Sequence, residues 1–199
     1  MSATASHGDS AGPAIGVTGV ENSKVGMWLF LASEVMMFSG LIGSYLALRS
    51  ANPEMLTEAA SLNKNLGALN TFILITSSVS MVLAVSASKR GEQGRMRMFL
   101  LGTILLGFVF LGIKSVEYAD KFQHGHYPST NLFFAFYFIM TGLHALHVIT
   151  GLVVLIGIYL LSFRGRYTAT HNDTVDSAGL YWHFVDIVWI FLFPLLYLV

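Results

Sequence analysis

The chain has 199 residues, 54% of them hydrophobic and 11% charged, and it contains no cysteine. A soluble domain carries roughly 25% charged residues, so this balance points to lipid. A formal net charge of zero argues against a nucleic-acid partner, and the missing cysteines exclude disulfides, thiolate metal sites and cysteine nucleophiles.

Residues 1–24 are polar and rich in Gly, Ser and Ala, with no Lys or Arg before Lys24. They lack the basic start and apolar core of a secretory signal and the Arg-rich character of a transit peptide. They read as a flexible tail, which leaves the first apolar segment to direct insertion. Five apolar stretches follow, at about 25–48, 66–88, 96–118, 131–163 and 179–199. Each meets the roughly 20 residues a helix needs to cross a bilayer. None shows barrel-type alternation, and backbone groups in lipid need internal partners, so the expected fold is all-α, a bundle of five transmembrane helices.

The first stretch carries Glu34 and no other charge until Arg49. A carboxyl at that depth costs a few kcal/mol on insertion scales. Two readings stand beside each other: a hydrogen-bonded acid that fixes helix packing, or a proton-exchanging group. Small residues are expected to pack helices closely. They are Ser39, Gly40, Gly43 and Ser44 here, Ser77, Ser78 and Ser80 in the second stretch, and Gly102, Gly107 and Gly112 in the third. The third closes on Lys114 and Glu117, three apart, expected to neutralise one another with the lysine reaching outward. His124 and His126 beyond it read as solvated loop.

The fourth stretch is about 49 Å long if helical throughout, so it must tilt or project beyond the hydrocarbon. Its His144 and His147 are three apart and share a face. They suit either ligation or polar packing, but an i,i+3 pair cannot place two histidines on opposite sides of a haem iron. In the fifth stretch His183 and Asp186 repeat the spacing, and a carboxyl–imidazole hydrogen bond is the simplest way to satisfy both. Trp182 suits the aromatic belt at the interface.

Grouping Lys24, Lys89, Arg90, Arg95, Arg97, Arg164 and Arg166 on one side leaves Arg49, Lys64, Lys114 and Lys121 on the other. Excess basic residues mark the cytoplasmic face, which predicts a cytoplasmic N-terminus and a periplasmic C-terminus. Glu34, His147, His183 and Asp186 then all lie toward the inner half of the membrane. Physical reasoning alone reaches a five-helix membrane protein with buried proton-active groups. A stand-alone proton or solute carrier and a b-type cytochrome remain open at this level.

Five segments carry a more specific resemblance. They are GMWLFLASEVMMF around Glu34, LNTFILITSS at 69–78, KSVEY at 114–118, TGLHALHVITG at 141–151 and YWHFVDIVWIFLF at 181–193. In this order they resemble subunit III of the haem–copper oxidases, in the shorter bacterial form that lacks the first two of seven helices. The resemblance implies an accessory subunit of a cytochrome c oxidase in the aerobic respiratory chain of a bacterial cytoplasmic membrane. It implies no catalytic residue, haem or copper in this chain. Haem and copper would sit in partner subunits: subunit I, against which this subunit packs, with subunit II and small subunits nearby. It further implies support for proton uptake and stability of subunit I, and bound phospholipid in a cleft. Glu34 falls on the family's buried carboxyl and His147 on the second histidine near a lipid headgroup, with His144 beside it. Leu161 stands where longer members carry an arginine; Arg164 and Arg166 come about a turn later. A quinol oxidase subunit and a nitric-oxide-reductase-associated homologue are the related alternatives.

Overall fold

In a computed structural model of the chain, residues 22–60, 62–164 and 173–198 are described. Among them lie six helices and no strand: α1 (Asn22–Ala51), α2 (Glu54–Ala59), α3 (Lys64–Lys89), α4 (Gln93–Gln123), α5 (Leu132–Ser162) and α6 (Asp173–Tyr197). All but α2 are long and apolar enough to cross a membrane. Most of the N-terminal tail and Arg166 fall outside the described residues.

Local chemistry sets the boundaries. The Asn63 side-chain Oδ1 accepts from the backbone N–H groups of Asn65 and Leu66, and Asn131 Oδ1 accepts from that of Phe134, so both helices start on a side-chain cap. Gly91 and Gly125 take φ of 72° and 76°. There the N–H of Glu92 reaches back to the Ala87 carbonyl, and that of His126 to Lys121, closing α3 and α4 with left-handed turns that glycine adopts without strain. The short α2, for which the apolar pattern offers no signal, buries Met55 and Ala59 beside the start of α5.

α3, α4, α5 and α6 form the core bundle, and α1 leans on α5 and α6 from outside. Glycines allow the close approaches. A Cβ on Gly107 would lie 2.8 Å from Leu152 and 3.0 Å from Trp182, and one on Gly151 would lie 2.9 Å from Trp182. The Trp182 ring therefore fills a slot between α4 and α5, fully buried, with its Nε1 donating to Ser77 Oγ at 3.1 Å. This corrects the interfacial-belt expectation: two glycines on neighbouring helices make room for an indole that sequence alone places at the surface. Gly40, Gly43 and Gly112 have open space where a Cβ would point, so they are not packing positions within this chain.

Candidate functional site

α1 touches the bundle along a narrow seam. Leu31, Phe38 and Tyr45 are buried at seven-residue intervals, while Trp28, Leu29 and Met36 face outward. That spacing is the signature of a single stripe along a helix rather than a broad apolar face. Glu34 lies in the stripe, three residues after Leu31 and four before Phe38. There it meets α5: His147 Nε2 stands 3.0 Å from Glu34 Oε2. Both side chains are mostly buried, at 13% and 16% exposure. Phe38 closes one side of the pair, with its ring 5.3 Å from the His147 imidazole.

The protonation of this pair follows from its other contact. His147 Nδ1 lies 2.7 Å from the Leu143 carbonyl, which can only accept, so Nδ1 carries a proton. Nε2 and Oε2 then need one proton between them to bond at all. Either Glu34 is an acid donating to a neutral imidazole, or it is a carboxylate accepting from an imidazolium. In both forms the bridge is neutral, and moving the proton across it creates or cancels an ion pair without changing net charge. The arrangement can hold one exchangeable proton at a mostly buried position between two helices.

His144 goes elsewhere. At 1% exposure it packs between Phe110 and Trp189, with ring centroids 5.6 and 5.1 Å away. Residues three apart on a helix differ by about 60° in direction. That angle turns His147 toward α1 and His144 into the core, so His144 is no part of a lipid-accessible surface.

The third pair gains partners that its spacing does not reveal. Lys114 Nζ donates to Glu117 Oε2 at 3.0 Å, Tyr137 Oη at 3.3 Å and Tyr197 Oη at 2.8 Å, so all three ammonium protons are used. Tyr137 and Tyr197 donate in turn to Glu117 Oε1 at 3.0 and 2.6 Å. The Lys114 side chain is 4% exposed and is ringed by Tyr118, Tyr137, Trp189 and Tyr197. It therefore points inward, against the expected outward reach, because α5 and α6 supply acceptors and aromatic faces in the core.

His183 and Asp186 do not pair. His183 Nδ1 meets Ser78 Oγ at 2.7 Å on α3, and neither Asp186 oxygen has a hydrogen-bond partner among the described residues. Arg164 is exposed just past α5. The end of α5 is held instead by Arg97 of α4, which donates to Ser162 Oγ at 3.1 Å and to the Ser162 carbonyl at 2.6 Å. Sequence reading passes over Arg97. The available signal is its i,i+2 spacing from Arg95, which turns two arginines to opposite faces, one to Glu92 outside and one to a helix terminus. Among the described residues no group of three or more metal-ligating side chains comes together.

Comparison with known proteins adds the family. The family model described as cytochrome c oxidase subunit III matches residues 15–199. The chain is 38% identical over 175 residues to a protein named cytochrome c oxidase subunit 3 from Thermostichus vulcanus, covering 87% of this chain and 86% of that one. It is 34% identical over 181 residues to one of the same name from Alkalihalophilus pseudofirmus, covering 89% and 87%. A protein named quinol oxidase subunit 3 from Bacillus subtilis is 31% identical over 174 residues, covering 87% and 85%.

Proposed function

This chain belongs to the cytochrome c oxidase subunit III family, and on that premise we propose that it works in a proton-pumping cytochrome c oxidase, packed against catalytic subunit I. The family is an accessory, non-catalytic component of haem–copper oxidases and carries no redox cofactor. This chain is accordingly a multi-pass membrane subunit, and the proposal places it in a bacterial cytoplasmic membrane with its N-terminus inside, on the strength of the basic-residue asymmetry.

The observation that carries the functional reading is the 3.0 Å contact between His147 Nε2 and Glu34 Oε2. It lies on the helix least enclosed by the rest of the chain, where a neighbouring subunit or the aqueous phase can exchange the proton. We assign it the role of a proton-holding group that helps sustain proton uptake into subunit I during turnover. Arg164, next to the exposed end of α5, is the residue we propose to meet a phospholipid headgroup on that side, together with Arg166. His147, by contrast, spends both ring nitrogens on protein partners.

The test uses the whole oxidase. Glu34→Gln retains a donor for His147 Nε2 but has no acid proton to exchange, so it preserves the bridge and removes the chemistry. Oxygen consumption followed over many turnovers at alkaline pH is expected to decay faster in this variant than in the parent complex. Unchanged decay kinetics would reduce Glu34 to a packing role. The relative named as a quinol oxidase subunit supports a second reading for the electron donor. Oxygen uptake driven by reduced cytochrome c, compared with uptake driven by quinol, separates the two.

A further inference from the structure

Asp186 is the one buried carboxyl, among the described residues, that the bundle leaves without a partner. It is 3% exposed and neither oxygen makes a well-formed hydrogen bond; the adjacent Ser78 hydroxyl lies 2.7 Å from His183 Nδ1. Asp186, with Ser78 and His183 beside it, lines an open groove of about 290 Å³ between α3 and α6. The rim is Ile75, Val79, Ile187 and Ile190, apolar side chains from 44% to 56% exposed.

What fills it follows from depth and chemistry. Asp186 stands thirteen residues into α6, about 20 Å from the Asp173 end at 1.5 Å per residue. Lipid headgroup donors stay near the membrane surface, and acyl chains offer no donor at all. An unpaired carboxyl facing hydrocarbon costs several kcal/mol. The apolar rim and the carboxyl together match a transmembrane helix that carries one hydrogen-bond donor among apolar residues. The outer face of α5 shows the contrast: Leu146, Ile149 and Val153 are just as exposed there, with no unpaired carboxyl beneath them.

We infer that the α3–α6 groove over Asp186 seats a transmembrane helix of a neighbouring oxidase subunit, whose side-chain donor (Arg, Lys, Ser, Thr or Trp) hydrogen-bonds the Asp186 carboxyl. This rests on the reading of the chain as an oxidase subunit and adds which of its faces is covered and by what chemistry. The groove is separate from the Glu34–His147 bridge, which faces α1 and α5.

Photo-crosslinking in the intact complex within native membranes tests it. A benzoylphenylalanine is placed singly at Val79, Ile187 or Ile190, with Ile149 and Val153 as controls. The rim positions are expected to give covalent adducts to a different oxidase polypeptide at several-fold the yield of the controls. Adducts only to lipid, adducts to a second copy of this chain, or equal yields from the α5 face overturn the inference. Independently, Asp186→Asn should keep the chain bound through a detergent wash, whereas Asp186→Leu should lower the amount retained several-fold. Retention of Asp186→Leu at the parent level overturns it as well, and if that variant does not accumulate, the crosslinks decide. A parent chain that copurifies with no haem-containing subunit overturns the underlying oxidase reading, a result distinct from silent rim positions in an intact complex.

Discussion

α1 and α6 are both apolar helices of similar length, yet 11% of the apolar stretch of α1 is buried inside the chain, against 50% of that of α6. The difference lies in what each offers a neighbour. α6 brings Trp182 to the slot left by Gly107 and Gly151, and Tyr197 to a buried ion pair. α1 brings one stripe of side chains, one polar bridge, and the Arg49 guanidinium reaching the Leu195 carbonyl at 3.4 Å. Lipid tails are as apolar as leucine, so hydrophobicity does not draw a helix into a bundle; close packing and hydrogen bonds do. The core helices have both in quantity. α1 has little of either, and its wide outer face is left for lipid or other subunits.

The comparison breaks hardest at the core ion pair. Lys114→Met leaves Glu117 and two tyrosine hydroxyls buried without their cation, and is expected to destabilise the α3–α6 bundle by about 3–5 kcal/mol. Thermal unfolding in detergent should show it, and the Lys114→Met, Glu117→Met double variant should recover part of the loss. A next-smaller effect comes from the close approach at Trp182. Gly151→Ala puts a Cβ 2.9 Å from the buried Trp182 ring, and overpacking of this kind costs about 1–3 kcal/mol. The same assay on Gly40→Ala, where nothing lies within 4 Å, should register no comparable change.

At the other region the effect should be local. Glu34→Leu strips the partner from a mostly buried imidazole nitrogen, a loss of about 1–2 kcal/mol. Hydrogen exchange is expected to rise along α1 while α3 to α6 keep their protection. Glu34→Gln should restore the protection, and faster exchange throughout the molecule would show that α1 does not open separately from the bundle. The smallest change belongs to Arg95, whose ion pair with Glu92 lies on the surface with the arginine 67% exposed. Arg95→Ala should shift stability by no more than about 0.5 kcal/mol, whereas Arg97→Ala, which uncaps α5, should cost more in the same measurement.

Much of this was legible from residues alone. Long apolar runs between polar connections imply membrane helices because the bilayer fixes both their length and their backbone bonding. The buried position of Glu34 follows from its place within such a run. The partners do not follow. His183 and Asp186 have the right spacing for a pair, yet Ser78 from a helix more than a hundred residues away takes the histidine instead. Trp182 reads as interfacial until two glycines on other helices are seen to face it.

By itself, the sequence of this protein determined which segments cross the membrane, which polar residues go in with them, and the family those segments match. The tertiary structure alone decided that Glu34 meets His147, that Lys114 turns inward to two tyrosines, and that Asp186 is left facing a groove. The reason is one of range. Membrane insertion is settled segment by segment through transfer from water to lipid, whereas a hydrogen bond between helices depends on the rotation and depth of both, which no single segment records.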